Sequence, residues 1–122
     1  MKWEIDSSRP VYIQLIEQIQ AGIISGQFKP GDKLPSVRDL AAAAAVNPNT
    51  MQKALSELER TELIYTNRTS GRFITSDETL IEKLKRVSAN ELAQDFLSRM
   101  KQLGYEPEET LEIVKDNIKN KK

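Results

Sequence analysis

Two short helices separated by three residues constrain this chain more than any other feature. Ser36-Val37-Arg38-Asp39 fits a capping box, so Ser36 opens a helix that runs into Ala41–Ala45. Val46-Asn47-Pro48 then interrupts. Asn47 is a good helix cap, and Pro48 suits the first helical position, where a missing N–H costs nothing. The helix that follows buries Met51, Ala54, Leu55 and Leu58, spaced i, i+3, i+4 and i+7. Two helices joined this tightly make a helix-turn-helix.

The flanks extend that unit. Tyr12, Leu15, Ile16, Ile19 and Ile23 form one face of a helix over about residues 10–25, with Ser7 or Ser8 as its cap, Pro10 in its first turn and Gly26 as its stop. Pro30-Gly31-Asp32 is a turn. Leu63-Ile64-Tyr65 and Arg72-Phe73-Ile74-Thr75 are β-prone runs around the polar loop Thr66–Gly71, which reads as a hairpin. Helix, helix-turn-helix, hairpin is the order of a winged helix, here over residues 8–76.

Residues 77–122 read differently. Ser76 or Asp77 caps a long helix with Ile81, Leu84, Leu92, Phe96, Met100 and Leu103 on one face. Gly104 stops it, Pro107 opens a last helix bearing Leu111, Val114 and Ile118, and Lys119–Lys122 is expected to fray. A helix pair of this size cannot bury its own apolar stripe. The stripe must meet either the winged domain, in a monomer, or a second subunit; the second is favoured, with Leu84, Leu92, Phe96, Met100 and Leu103 as the dimerisation residues. The expected fold is mainly α with a small β-hairpin: a winged helix-turn-helix followed by a short helical dimerisation region.

Composition narrows the chemistry. The 122 residues contain no cysteine and no histidine, which removes thiolate chemistry, the commonest general base and the commonest transition-metal ligand. Carboxylate, lysine and serine–lysine schemes stay open, but no nucleophile–base set can be assembled without arbitrary choices, so neither an enzyme nor a cofactor is expected. No apolar run approaches a membrane span and the N-terminus is no signal peptide, so the expected place is the cytoplasm, on the nucleoid. Net charge is zero, with nine basic residues against eight acidic through Ser76. Any function that needs a positive face must therefore segregate its charges.

The winged-helix reading brings such residues to one surface. Ser36 and Arg38 stand where free N–H groups and the helix dipole favour a phosphate. Asn49 and Gln52 carry amides able to pair both ways with adenine, and Lys53 reaches guanine or a phosphate. Arg68 and Arg72 flank the hairpin glycine, placed for backbone or minor-groove contact. Glu57, Glu59 and Glu62 are expected toward the far end of the helix.

These residues carry a resemblance. Ile23-Ile24-Ser25-Gly26, the run Pro30–Ala41, the run Val46–Leu55, and Leu58-Glu59, Leu63-Ile64 and Gly71-Arg72-Phe73-Ile74 resemble the GntR family of bacterial transcription regulators. Asn47-Pro48-Asn49-Thr50 and the short C-terminal part resemble its YtrA subfamily. The resemblance implies a homodimer on an inverted-repeat DNA operator, acting as a repressor, with neighbouring transporter genes as frequent targets. It also implies that Arg38 binds phosphate, that Asn47, Asn49, Thr50, Gln52 and Lys53 hold the recognition-helix contact positions, and that Gly71 is the wing glycine. Pro48 and Gln52 stand where most of the family has arginine. Glu62 replaces a usual glycine, Thr69 breaks the usual glycine pair of the wing, and Ala44 replaces a larger aliphatic.

Two other functions compete with this one. A winged helix can serve as a protein-interaction module without DNA readout. An RNA binder needs exposed aromatic platforms, whereas Tyr65 and Phe73 read as strand core. No ligand pocket is evident in the sequence; a small-molecule effector, its identity open, could bind between helices at the dimer junction near Tyr105 or Phe96.

Overall fold

Two glutamines of the first helix tie an extended N-terminal arm to the rest of the chain. In the computed structural model, which describes residues 1–120, helix α1 spans Val11–Ser25. Buried Gln14 donates to the carbonyls of Asp6 (2.8 Å) and Arg9 (2.9 Å) and accepts from the Asp6 N–H (3.0 Å). One turn on, Gln18 pairs both ways with the Glu4 backbone, and Trp3 and Ile5 pack against the core. Neither serine caps α1, contrary to expectation. Ser8 instead bonds the Asp6 carboxylate, and Pro10 takes the cap position with no side-chain bond. The helix does stop at Gly26, in the left-handed region at φ 88°.

Helix α2 covers Val37–Ala44 and α3 covers Pro48–Arg60. Ser36 Oγ accepts from the Asp39 N–H, and Asn47 Oδ1 accepts from the Asn49 N–H, as the capping patterns require. The turn between the helices hinges on Ala45, which is left-handed at φ 57°. There the Val46 N–H reaches the Ala41 carbonyl and the Ala45 N–H reaches that of Ala42, a Schellman closure normally given to glycine. Of the alanine run, Ala41 and Ala44 are buried and the others face out.

Strands β1 (Ile64–Asn67) and β2 (Gly71–Ile74) pair antiparallel, Ile64 opposite Ile74 and Thr66 opposite Arg72. The Asp32–Leu34 segment lies along β2, with Leu34 N–H donating to the Arg72 carbonyl and Ile74 N–H to that of Asp32, both at 2.8 Å. This contact fixes the loop before α2 to the wing. Ile64 and Ile74 enter the core with Leu15, Ile19, Leu40, Met51, Leu55 and Leu58. Tyr65 and Phe73 do not. Tyr65 is 46% exposed and stacks on Phe73 with ring centroids 5.6 Å apart, so the expectation of two core aromatics fails for Tyr65. The alternation of the strand turns the pair away from the isoleucine face.

Glu62, between α3 and β1, sits at φ 67°. A left-handed non-glycine residue costs about 1–2 kcal/mol, against about 0.5–1 kcal/mol for the extra freedom glycine gives the unfolded chain. Glu62→Gly is therefore expected to raise stability by about 0.5–1 kcal/mol in urea or thermal unfolding.

Helix α4 runs Glu78–Gln102 and α5 Pro107–Asn120. Asp77 Oδ1 caps the first by accepting from the Leu80 N–H. The chain divides into two compact units, Met1–Leu84 and a second from Lys85 onward. Within the first, Leu80, Ile81 and Leu84 are partly buried against the winged-helix core. Leu84, expected at a dimer contact, is thus already partly covered within its own unit. The opening turns of α4 belong to that core, a distinction apolar spacing alone does not make. In the second unit Leu92, Phe96, Leu97, Leu103, Leu111 and Ile118 are exposed, and Met100 is partly buried. Lys119 and Asn120 are helical rather than frayed, and Lys121 and Lys122 lie outside the described residues.

Candidate nucleic-acid interface

The exposed side of α3 is set by what its other side buries. With Met51, Ala54, Leu55 and Leu58 inward, helical spacing turns Asn49, Gln52, Lys53 and Ser56 outward, and all four are exposed. Gln52 makes only a long contact to Ser56 Oγ, 3.4 Å, which leaves its amide available. Asn47 is committed to capping and, with Thr50, lines a groove of about 500 Å³ at the helix start, bordered by Trp3, Ile5 and Val46.

A second groove, about 760 Å³, runs between the start of α2 and the wing. Ser36, Asn67, Arg68, Gly71 and Arg72 line it, and so does Lys33. Lys33 carried no role in the sequence reading; the cue was a basic residue in the turn that the α2 motif follows. Its side chain lies over Gly71, where an added Cβ would stand 3.3 Å from Lys33 Cε, and Gly71 itself is at φ 108°. A side chain at position 71 would be strained and would push the lysine out of the groove. The wing turn is held by Asn67, whose Oδ1 accepts from the N–H and hydroxyl of Thr69.

Charge segregation follows from ion pairing. Glu17 takes Arg9 (2.8 Å), Glu57 takes Arg60 (3.2 Å) and Glu59 takes Arg72 (2.7 Å). Of the described residues, Lys33, Arg38, Lys53 and Arg68 are among the basic ones left without a carboxylate partner, as are Lys2 and Lys29 elsewhere in this unit, and Asp39 borders the α2–wing groove. Arg38 is exposed on the first turn of α2 and forms no pair with Asp32 or Asp39. The N-terminal N–H groups of α2 and the helix dipole add to that positive end.

Arg72 corrects the sequence reading. It was expected to be free for a nucleic-acid backbone, with Glu59 remote, but its side chain is four-fifths buried and its guanidinium pairs with the Glu59 carboxylate. The register explains the pairing: Thr66 and Arg72 are directly opposite, on one face of the hairpin, and both donate to Glu59 Oε1. Arg72 therefore braces the wing against α3.

Burial pushes the Glu59 carboxyl up, but the hydrogen bonds from Thr66 and Arg72 and the arginine's charge outweigh it, and the net value lies below the ordinary one. A depressed carboxylate stabilises the fold fully above its unfolded pKa and loses that contribution as pH falls through the folded value. The stability gap between the natural chain and Glu59→Gln is accordingly expected to be widest near neutrality. It should narrow on acidification through the carboxylate range, as followed by thermal unfolding against pH.

A winged helix-turn-helix with a polar recognition face and a basic groove defines a DNA-binding regulator. The model for bacterial regulatory proteins of the gntR family matches residues 11–74. The chain is 39% identical to the HTH-type transcriptional repressor YtrA of Bacillus subtilis (strain 168), over 90% of this chain and 85% of the relative. It superposes on a GntR family transcriptional regulator from Listeria monocytogenes with a TM-score of 0.87 and 43% identity, covering 92% of this chain and 98% of that one. It also matches AraR(DBD) in complex with operator ORX1, with a TM-score of 0.54 and 26% identity, over 62% of this chain and 99% of that one. The chain belongs to the GntR family, is YtrA-like within it, and is a transcriptional regulator rather than an enzyme. No helix among the described residues is long and apolar enough to cross a membrane.

Proposed function

We propose that this regulator is a repressor that binds an inverted-repeat operator as a homodimer, in the cytoplasm, and controls a neighbouring transporter operon. Residues 8–76 form its DNA-binding domain and 77–122 its dimerisation region. The repressor assignment leans on the name of the YtrA relative, and the choice of duplex DNA on the operator-bound AraR domain. One observation carries the reading: the start of α2, Lys33 and the wing arginine Arg68 share a groove, while an adjacent helix presents exposed amides at Asn49 and Gln52.

In this reading Ser36, Arg38, Lys33 and Arg68 take phosphates, and Gly71 lets the wing approach closely. Asn49 and Gln52 read base edges, with Asn47 and Thr50 at the helix start. Arg72 acts through Glu59. The exposed Leu92, Phe96 and Leu103, with Met100, meet a second copy, which sets two recognition helices on successive half-sites.

Footprinting on the chain's own upstream region supplies the operator. Arg38→Ala is then expected to weaken binding to operator and to random duplex by the same factor and to lower the salt slope by about one. Gln52→Ala is expected to relax preference at one base pair by about 1–3 kcal/mol. Equal losses on both duplexes from both variants would refute this division of roles. A salt-independent interaction would favour the protein-interaction module instead.

A further inference from the structure

Tyr12 was read only as part of the apolar stripe of α1, yet its ring has a partner on α3. Lys53 Nζ lies 3.8 Å from the Tyr12 ring centroid. Tyr12 is partly buried, whereas Lys53 is exposed, so the lysine arches from the open face of α3 toward α1. The acid one turn along, Glu57, is engaged by Arg60. The aromatic face is therefore the partner that holds the ammonium.

The direction of this lean matters. Neighbouring residues on a helix are about 100° apart, so Gln52 and Lys53 depart from the outward line on opposite flanks. Gln52 shares its flank with Glu59, which holds the wing through Arg72, while Lys53 leans away from the wing. An ammonium drawn over a ring on α1 is withdrawn from the line along which a base edge would be reached. It stays beside the start of α1 as a point charge with three donors. A cation held in this way suits a phosphate.

We infer that Tyr12 is a positioning residue: it holds Lys53 for a backbone phosphate on the α1 flank, so that Lys53 supplies affinity without sequence preference. This rests on the DNA-binding reading above. It also removes Lys53 from the base-reading set and leaves that task to Asn49 and Gln52.

The test has one readout on the free protein and one on DNA. In the free protein, ring-current shielding should move the Lys53 ε-methylene proton resonances upfield. The shift should survive Tyr12→Phe and vanish in Tyr12→Leu. On a random-sequence duplex at low salt, Tyr12→Phe should bind like the natural chain. Tyr12→Leu should lose about two- to five-fold, the factor that corresponds to an exposed cation–π contact. In a Lys53→Ala background Tyr12→Leu should change nothing further, and Lys53→Ala should lower the salt slope by about one. A Tyr12→Leu loss that persists without Lys53, or a Tyr12→Phe loss as large as that of leucine, overturns the assignment while leaving DNA binding intact. An unshifted Lys53 side chain overturns it independently of any DNA. Failure of the natural chain itself to bind the duplex removes the DNA reading, and this assignment with it.

Discussion

Leu92→Asp with Phe96→Asp is expected to leave a folded chain that sediments as a monomer and binds its operator about 10²–10⁴-fold more weakly. Both side chains are exposed, at 71% and 42%, so aspartate there creates little cavity within the chain. Its intrinsic helix cost is at most about 0.7 kcal/mol per residue. Against a second copy the balance differs. Burying a leucine or phenylalanine contributes about 1.5–3 kcal/mol, and each substitution appears twice across a two-fold interface. Burying the carboxylates instead adds an unpaired charge to the loss. The fall in affinity follows from geometry: joined recognition helices bind the second half-site at the effective concentration their linkage sets, and that gain disappears on separation. Phe96 also lines an apolar groove of about 340 Å³ with Met100, Ile113, Val114 and Ile118, which ties it partly to its own unit. Leu92→Asp alone is therefore the cleaner variant. Sedimentation unchanged from the natural chain would remove the dimer, and a monomer that binds as tightly as before would remove its role on DNA.

What the sequence disclosed about this molecule was its local chemistry. Ser36 and Asn47 cap the helices they were expected to cap, because a cap bond spans only two or three residues. The inward faces of α1 and α3 were legible from period alone. Non-local pairings were not. The union of Arg72 with Glu59 depends on strand register and on the packing of the hairpin against α3, which a sequence separation of 13 does not encode by spacing. Tyr12 looked apolar because a phenol in an aliphatic stripe gives no sign of which cation will lie over it. The role of Leu84 was obscured for the opposite reason: period identifies an apolar face but not the surface that covers it. The left-handed backbone at Ala45 and Glu62 left no compositional mark, although the usual glycine at the second position pointed to it.

Gln14→Leu should be the most damaging conservative-sized change in the winged-helix unit, with a loss of about 2–3 kcal/mol. Gln14 is 2% exposed and satisfies three backbone groups at once: the N–H and carbonyl of Asp6 and the carbonyl of Arg9. Leucine fills similar space and meets none of them. Each buried group left unpaired costs about 1–3 kcal/mol, but the full sum is not reached, because the arm can detach and let water take over. The ceiling is then the burial lost with Trp3 and Ile5, together with the Gln18–Glu4 pairing that zips the same arm. At about 4–8 °C per kcal/mol for a unit of this size, the melting midpoint should fall by more than 8 °C. Deleting the arm through Asp6 separates the two contributions. If Gln14→Leu acts by releasing the arm, it should cost little more in the deleted chain beyond its bond to Arg9. A full additional loss there would place the role of Gln14 within the helix-turn-helix core instead. Because Trp3 and Ile5 border the groove at Asn47 and Thr50, release should also speed amide exchange at the start of α3 before the rest of that helix.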